Sequence, residues 1–165
     1  MAYQATAVRA KTIVNNTFRT DRRNAEFVRP AGLKIQSWGY EMRTITKKPK
    51  EAIRRYVVSV RLPTDYVGHL SRCKDVKVDC TCSRYMFVWN YALNKAGAAI
   101  VDRTNGEPPV VTNPNLKPGI CKHGLIALQF LLKADPHWPS SGARRPAGSD
   151  PNSKKRRVSL KTVKL

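Results

Sequence analysis

The stretch VKVDCTCSRYMFVWNYAL, residues 76–93, decides the fold of this chain. Its first residues alternate apolar and polar side chains, which predicts a β-strand over 76–80, and apolar residues recur at helical spacing over 84–99. Cys80 ends the predicted strand, and Cys82 lies between the strand and the helix. Because residues i and i+2 of an extended segment point the same way, both sulfur atoms can face one point. The stretch therefore predicts a strand, half of a ligand clamp and a helix in succession.

The chain offers few other partners for these thiols, since it contains only four cysteines in all and three histidines. The N-terminal stretch lacks the apolar segment of a secretory signal, and no window of about 18 apolar residues occurs, so we expect neither export nor a membrane span. In a reducing compartment, closely spaced thiols are more often metal ligands than disulfides. A disulfide between Cys80 and Cys82 would also close a strained ring. We therefore expect these two cysteines to bind a metal.

A second pair of candidate ligands has the same spacing. The sequence CKH places Cys121 and His123 two positions apart, directly after a Pro-Gly turn. The apolar segment 121–135 has the pattern of a helix that ends at Asp135, before the next proline. Three thiolates and one imidazole make a closed four-ligand set of the kind that structural zinc takes, with no position left for water.

These residues also carry a resemblance to a known family. C-T-C followed by S-R-Y, and later P-G-I-C-K-H-G-L-I-A-L, resembles the SWIM zinc finger, whose pattern is C-x-C, a variable spacer and C-x-H before a hydrophobic helix. The resemblance covers roughly residues 55–134 and implies one bound Zn²⁺ ion. The 38 residues between the two pairs exceed the usual SWIM spacer and imply an inserted helix and loop. The ligands that the resemblance implies are Cys80, Cys82, Cys121 and His123.

Charge and composition divide the chain into three parts. Residues 1–54 mix Arg, Asn, Thr and Pro with isolated apolar residues, and we interpret them as an irregular basic arm in which AGLKIQSWGYEMRTI could form a strand or short hairpin. Residues 55–138 are interpreted as the SWIM-like zinc-binding core, with a strand predicted over 54–63. Residues 139–165 have the Pro, Ser and basic composition of a disordered tail. The predicted fold class is α+β, a small zinc-stapled ββα-type core with an inserted helix and loop, flanked by extended basic arms.

Several residues near this constellation have open roles. Cys73 could replace one of the four ligands, together with His69 of the preceding HLSRC segment, or be a free buried thiol. His137 follows the last helix and is more typical of a surface residue than of a ligand. Aromatic residues at strand and helix spacing usually belong to a core, although they can also stack on nucleic-acid bases. The aromatic candidates are Trp38, Tyr40, Tyr56, Tyr85, Phe87, Trp89 and Tyr91.

The sequence shows no convincing catalytic pattern. We find no paired carboxylates, no nucleophile beside a base and no glycine-rich loop before a helix. The acidic residues of the middle segment are scattered, and a saturated zinc site offers no activated water. We therefore expect a protein that is not an enzyme, with a nuclease as the remaining alternative.

The formal net charge of +20 predicts a polyanion or an acidic protein surface as partner. The stretch NGEPPVVTNPNLKPGICKH is similar to SWIM-like proteins of unassigned role encoded by tailed bacteriophages. Taken together with the net charge, this similarity favours a structural protein of the virion, made in the host cytoplasm. We expect it to bind other structural proteins of the capsid, neck or tail through its two arms, with packaged DNA as a further candidate contact. The alternative is a free DNA- or RNA-binding accessory or regulatory protein. The candidate contact residues of the tail are Arg144, Arg145, Lys154, Lys155, Arg156 and Arg157.

Overall fold

A four-stranded antiparallel sheet lies at the centre of the computed structural model, which describes residues 7–139. A two-stranded ribbon lies beside it. The predicted α+β class is confirmed, whereas the candidate tail contacts between Arg144 and Arg157 lie outside the described residues. In chain order the strands are β1 (Val28–Gln36), β2 (Gly39–Thr46), β3 (Arg54–Arg61), β4 (Gly68–His69), β5 (Lys77–Cys80) and β6 (His137–Trp138). The sheet has the order β1-β2-β3-β5, and β4 pairs with β6.

The strands form where buried and exposed residues alternate. In β2 the side chains of Tyr40, Met42, Thr44 and Thr46 are buried, and the residues that alternate with them are exposed or half-buried. Gly39 begins this strand with a φ of +150°, and a Cβ atom there would lie 2.0 Å from the carbonyl oxygen of Val60. Only glycine therefore allows β2 to approach β3 this closely at the β1–β2 turn.

The helices bury one face of the sheet. Helix α4 contacts β1, β2, β3 and β5, while α1 and α2 pack against α4. The hydrophobic core lies between α4 and the sheet. Within residues 7–139, no helix is long and apolar enough to cross a membrane. The helices are α1 (Ala10–Asn16), α2 (Arg19–Asn24), α3 (Asn90–Lys95), which continues a π-helical turn over Tyr85–Trp89, and α4 (Lys122–Ala134).

The elements of the middle segment follow the sequence pattern. Strands β3 and β5 lie inside the predicted strands, and the predicted helix over 84–99 corresponds to the π-helical turn and α3. Helix α4 ends where Asp135 adopts a left-handed conformation, with φ of +40°. The ββα arrangement with an inserted helix and loop is therefore present.

The interpretation of residues 1–54 as an irregular arm is wrong for the part that the structure describes, although the hairpin suggested within 31–45 is present as β1 and β2. Helix α1 buries Ile13 and Val14 in the core, and the backbone N–H of Ile120 donates a 3.2 Å hydrogen bond to the hydroxyl of Thr17. Strand β2 also pairs along its whole length with β3, across the predicted boundary at residue 54. Helices α1 and α2 have 7 and 6 residues, which is too short to show an apolar stripe in the sequence. Tertiary packing stabilises helices of this length.

Candidate metal centre

Four side chains from distant parts of the chain converge at one end of the sheet. Cys80 is the last residue of β5, Cys82 lies just beyond it, Cys121 caps the N-terminus of α4 and His123 lies in the first turn of that helix. Their candidate ligand atoms all lie within 4.8 Å of one another, and all four residues are buried. Two ligands of one ion, each about 2.3 Å away, are at most roughly 4.6 Å apart. The cluster therefore has close to the dimensions of a single metal site.

Local hydrogen bonds orient the sulfur atoms. The backbone N–H of Tyr85 donates to Sγ of Cys82 at 3.3 Å, where the chain turns from β5 into the helix. In the same way, the N–H of Gly124 donates to Sγ of Cys121 at 3.5 Å, so this thiol is the N-terminal cap of α4. Helix N-termini favour negative charge, so α4 would stabilise a thiolate at Cys121 once a cation offsets the cost of its burial.

His123 is held with one ring nitrogen toward the thiols. Its Nε2 lies 2.8 Å from the hydroxyl oxygen of Thr46 on β2, and its Nδ1 lies 3.9 Å from Sγ of Cys121. The ring also stacks at 4.2 Å on Tyr56 of β3. When Nε2 carries the proton and donates to Thr46, Nδ1 presents a lone pair to the cluster, which is the form that binds a metal.

The electrostatics of the cluster call for a cation. A hydrogen bond from Cys121 lowers the pKa of the Cys82 thiol, whereas burial raises the pKa of Cys121 well above its usual value. Three buried thiols without a cation therefore favour one thiolate stabilised by protonated neighbours. A bound divalent ion would allow all three thiols to be deprotonated together, because a coordinating thiol loses its proton outright. The donor set fits a structural zinc ion.

The alternative ligands are not part of the cluster. Cys73 is buried, but its Sγ donates a 3.6 Å hydrogen bond to the carbonyl oxygen of Asp75. His69 Nδ1 lies 2.9 Å from the carbonyl oxygen of Asp135 at the end of α4. His137 is exposed, as expected of a surface residue. The free buried thiol is therefore the role that the structure supports for Cys73.

Most of the aromatic candidates belong to the core or its margin. Tyr40, Tyr85 and Trp89 are buried, whereas Phe87 is 67% exposed. Of the group, Tyr56 has a role that the spacing did not predict, since it covers the imidazole of His123. Sequence reasoning also missed Thr46, although a polar residue on the buried face of an alternating strand was a usable signal.

Comparison with protein-family models, with curated proteins and with solved structures finds no significant match to this chain. What stands from the sequence and the structure together is a small α+β protein whose buried Cys/His cluster could hold a metal ion and is compatible with a zinc finger.

Proposed function

We propose that this protein is a non-enzymatic, zinc-stapled structural protein in which Cys80, Cys82, Cys121 and His123 bind one Zn²⁺ ion, as in a SWIM-type finger. The convergence of these four buried side chains carries the proposal. Thiolate and imidazole ligands in a compact four-donor set suit zinc, whereas Mg²⁺ and Ca²⁺ prefer oxygen ligands.

A structural role follows from the closure of the donor set. Four protein ligands fill a tetrahedral ion, so no position remains for a water molecule or a substrate. The ion would join the end of β5 to the start of α4, two segments that are distant in sequence. Metal binding then contributes directly to the free energy of folding.

The assembly in which such a protein works is the finer part of the proposal. We place it in the virion of a tailed bacteriophage, bound to other structural proteins. The similarity of the stretch NGEPPVVTNPNLKPGICKH to phage-encoded SWIM-like proteins supports this, as does the net charge of +20, which suits a particle filled with nucleic acid. The protein would be made in the host cytoplasm and incorporated into the particle.

A free nucleic-acid-binding protein is the second candidate function. It is favoured by arginine side chains that lie exposed on the sheet face opposite the core. Nuclease treatment of purified particles separates the two candidates. A virion subunit should stay with the particle after its nucleic acid is digested, whereas a nucleic-acid-bound protein should be released.

Elemental analysis of the reduced, folded protein tests the zinc site. We expect one zinc per chain, and chelation should make Cys80, Cys82 and Cys121 reactive toward a thiol reagent. Cys82→Ser should weaken zinc binding by about 100-fold or more, while the matched Cys73→Ser variant should keep the wild-type affinity. A folded, reduced chain without zinc would contradict the proposal.

A further inference from the structure

The sheet has a second face that α4 does not cover. Residues of β2 and β3 that alternate with the buried positions point to this side, and Arg43, Arg55 and Arg61 are exposed there. On β1, Arg29 is exposed as well. We call this surface, defined by Arg29, Arg43, Arg55 and Arg61, the open face. It is built on regular strands, so its side chains are held at fixed spacings.

The register of the strands groups three of these arginines. Arg29 and Arg55 flank Ile45 in one row of the sheet, and Arg43 lies in the next row beside Val57. With strands about 4.8 Å apart, the Cα atoms of Arg29 and Arg55 are roughly 10 Å from each other. Arg29 Nη1 donates to the carbonyl oxygens of Glu26 and Val28 at 2.6 and 2.8 Å, which leaves its other N–H groups for a ligand. Arg43 and Arg55 therefore border the apolar residues directly, with Arg29 at the margin of the same rows.

A hollow of about 480 Å³ lies within this group, lined by Ala31, Ile45 and Val57 with Arg43 and Arg55 beside them. It forms where the pairing of β1 with β2 shifts between Pro30 and Gly32. Gly32 is the register partner of Arg43, and a Cβ atom at Gly32 would contact nothing within 4 Å. The hollow is therefore open next to Arg43.

The positive charge of the open face is not neutralised within residues 7–139. The ion pairs among these residues include Lys34 with Glu41 on the same sheet, but none involves Arg29, Arg43, Arg55 or Arg61. The segments that the structure does not describe add no acidic excess, since residues 1–6 contain no charged side chain and residues 140–165 contain eight Lys and Arg against one acidic residue. They do not complement the open face, so an external polyanion is required.

We propose that the open face binds the phosphate backbone of nucleic acid, with Arg29, Arg43 and Arg55 on phosphates and a sugar or base against Ile45 and Val57. This rests on and deepens the nucleic-acid binding that is the second candidate function, by assigning it to one surface. The four exposed cations that define the open face are arginine, whose planar fork matches phosphate oxygens in pairs, and Lys34 and Lys77 add half-buried charges on the same side of the sheet. An acidic protein surface would match the charge but would leave the apolar hollow without an occupant.

The contact should be independent of nucleotide sequence. The hollow contains no Asn or Gln side chain, the residues that read adenine edges most directly, and arginines on phosphates position a ligand without reading its bases. Single-stranded and duplex nucleic acid share the phosphate chemistry. The salt dependence of binding distinguishes them, because each phosphate contact contributes about 0.7 to the log-log slope for a single strand and about 0.9 for a duplex.

The test compares two variants of the full-length, zinc-loaded chain, each lacking three positive charges. One is R29Q/R43Q/R55Q on the open face. The matched control is K11Q/R23Q/K133Q, which removes three exposed charges from α1, α2 and α4. Fluorescence anisotropy with a labelled single-stranded oligonucleotide and with its duplex, at several salt concentrations, gives the affinity and the slope. Zinc content and melting temperature confirm that both variants fold.

We expect the open-face variant to reduce the slope by roughly 2–3 and to weaken binding about 100-fold or more at 0.1 M salt. The control should change the slope by less than about 1. Equal losses in both variants would overturn the inference while leaving nucleic-acid binding in place. A wild-type chain that binds neither oligonucleotide would overturn both the inference and nucleic-acid binding. If the open-face substitutions weakened binding to polyglutamate but not to the oligonucleotides, the open face would be assigned to an acidic protein instead.

Discussion

Two fully buried cysteines, Cys121 and Cys73, should respond very differently to replacement by serine. In the proposed site Cys121 is one of four ligands, and structural zinc contributes about 10–16 kcal/mol, so one ligand accounts for roughly 2.5–4 kcal/mol. Cys73 only donates a hydrogen bond to the carbonyl oxygen of Asp75, which a serine hydroxyl can replace. Its substitution should therefore cost about 1 kcal/mol, the value of a buried polar group that keeps a partner.

Thermal melts in the presence of stoichiometric zinc measure this difference. For a chain of this size, 1 kcal/mol lowers the melting temperature by about 2–4 °C. We expect a loss of roughly 2–4 °C for Cys73→Ser and of roughly 5–16 °C for Cys121→Ser. With a chelator present, the wild-type protein should melt below the zinc-loaded Cys121→Ser variant, because it then loses the whole contribution of the metal rather than that of one ligand. Equal losses for the two variants, or a wild-type melt that the chelator does not change, would refute the ligand assignment.

Three further predictions concern the surroundings of the site. Thr46→Val should weaken zinc binding about 10–100-fold, because His123 loses the acceptor for its Nε2 proton. Competition with a chromogenic chelator measures this, with Thr44→Val as the control. Unchanged affinity in Thr46→Val would contradict the supporting role of Thr46. A chain of residues 55–138 should not fold, because β3 loses its partner β2 and α4 loses α1 and α2; a dispersed amide spectrum from this fragment would show otherwise. The hydroxyl of Tyr40 is buried without a hydrogen-bond partner among residues 7–139, and burial raises its pKa to about 12. In the unfolded chain the Tyr40 hydroxyl ionises near pH 10, so the free energy of unfolding of the wild-type protein should fall as the pH rises from 10 to 12. Denaturant melts should show a smaller fall for Tyr40→Phe, and little difference between the two proteins at pH 7.

The parts of the fold that sequence could predict are those with a regular pattern. Strands β3 and β5 alternate over four or more residues, and α4 carries an apolar stripe with clear end signals. The convergence of two ligand pairs was also predictable, because each pair has the i, i+2 spacing that aims two side chains at one point. These features depend only on local sequence.

The parts that could not be predicted depend on tertiary contacts. Helix α2 has six residues, and its buried Asp21 forms a 3.1 Å ion pair with Arg84, a contact between residues far apart in the chain. Thr46 contacts His123 across a similar distance in sequence. Neither pairing leaves a periodic signal in the sequence. Without such a signal, most of the N-terminal segment was interpreted as an irregular arm, although it supplies two of the four strands of the sheet.

The position of α4 late in the chain has a consequence for synthesis on the ribosome. The helix contacts α1, α2 and every strand of the four-stranded sheet, so the core cannot close until Lys122–Ala134 have left the exit tunnel. At about 5–20 residues per second, Cys80 and Cys82 would wait for several seconds before Cys121 joins them. During that interval the nascent chain presents two reduced thiols and an unprotected sheet, which would make chaperone binding and, if the proposed zinc site forms, the local zinc supply determinants of its yield.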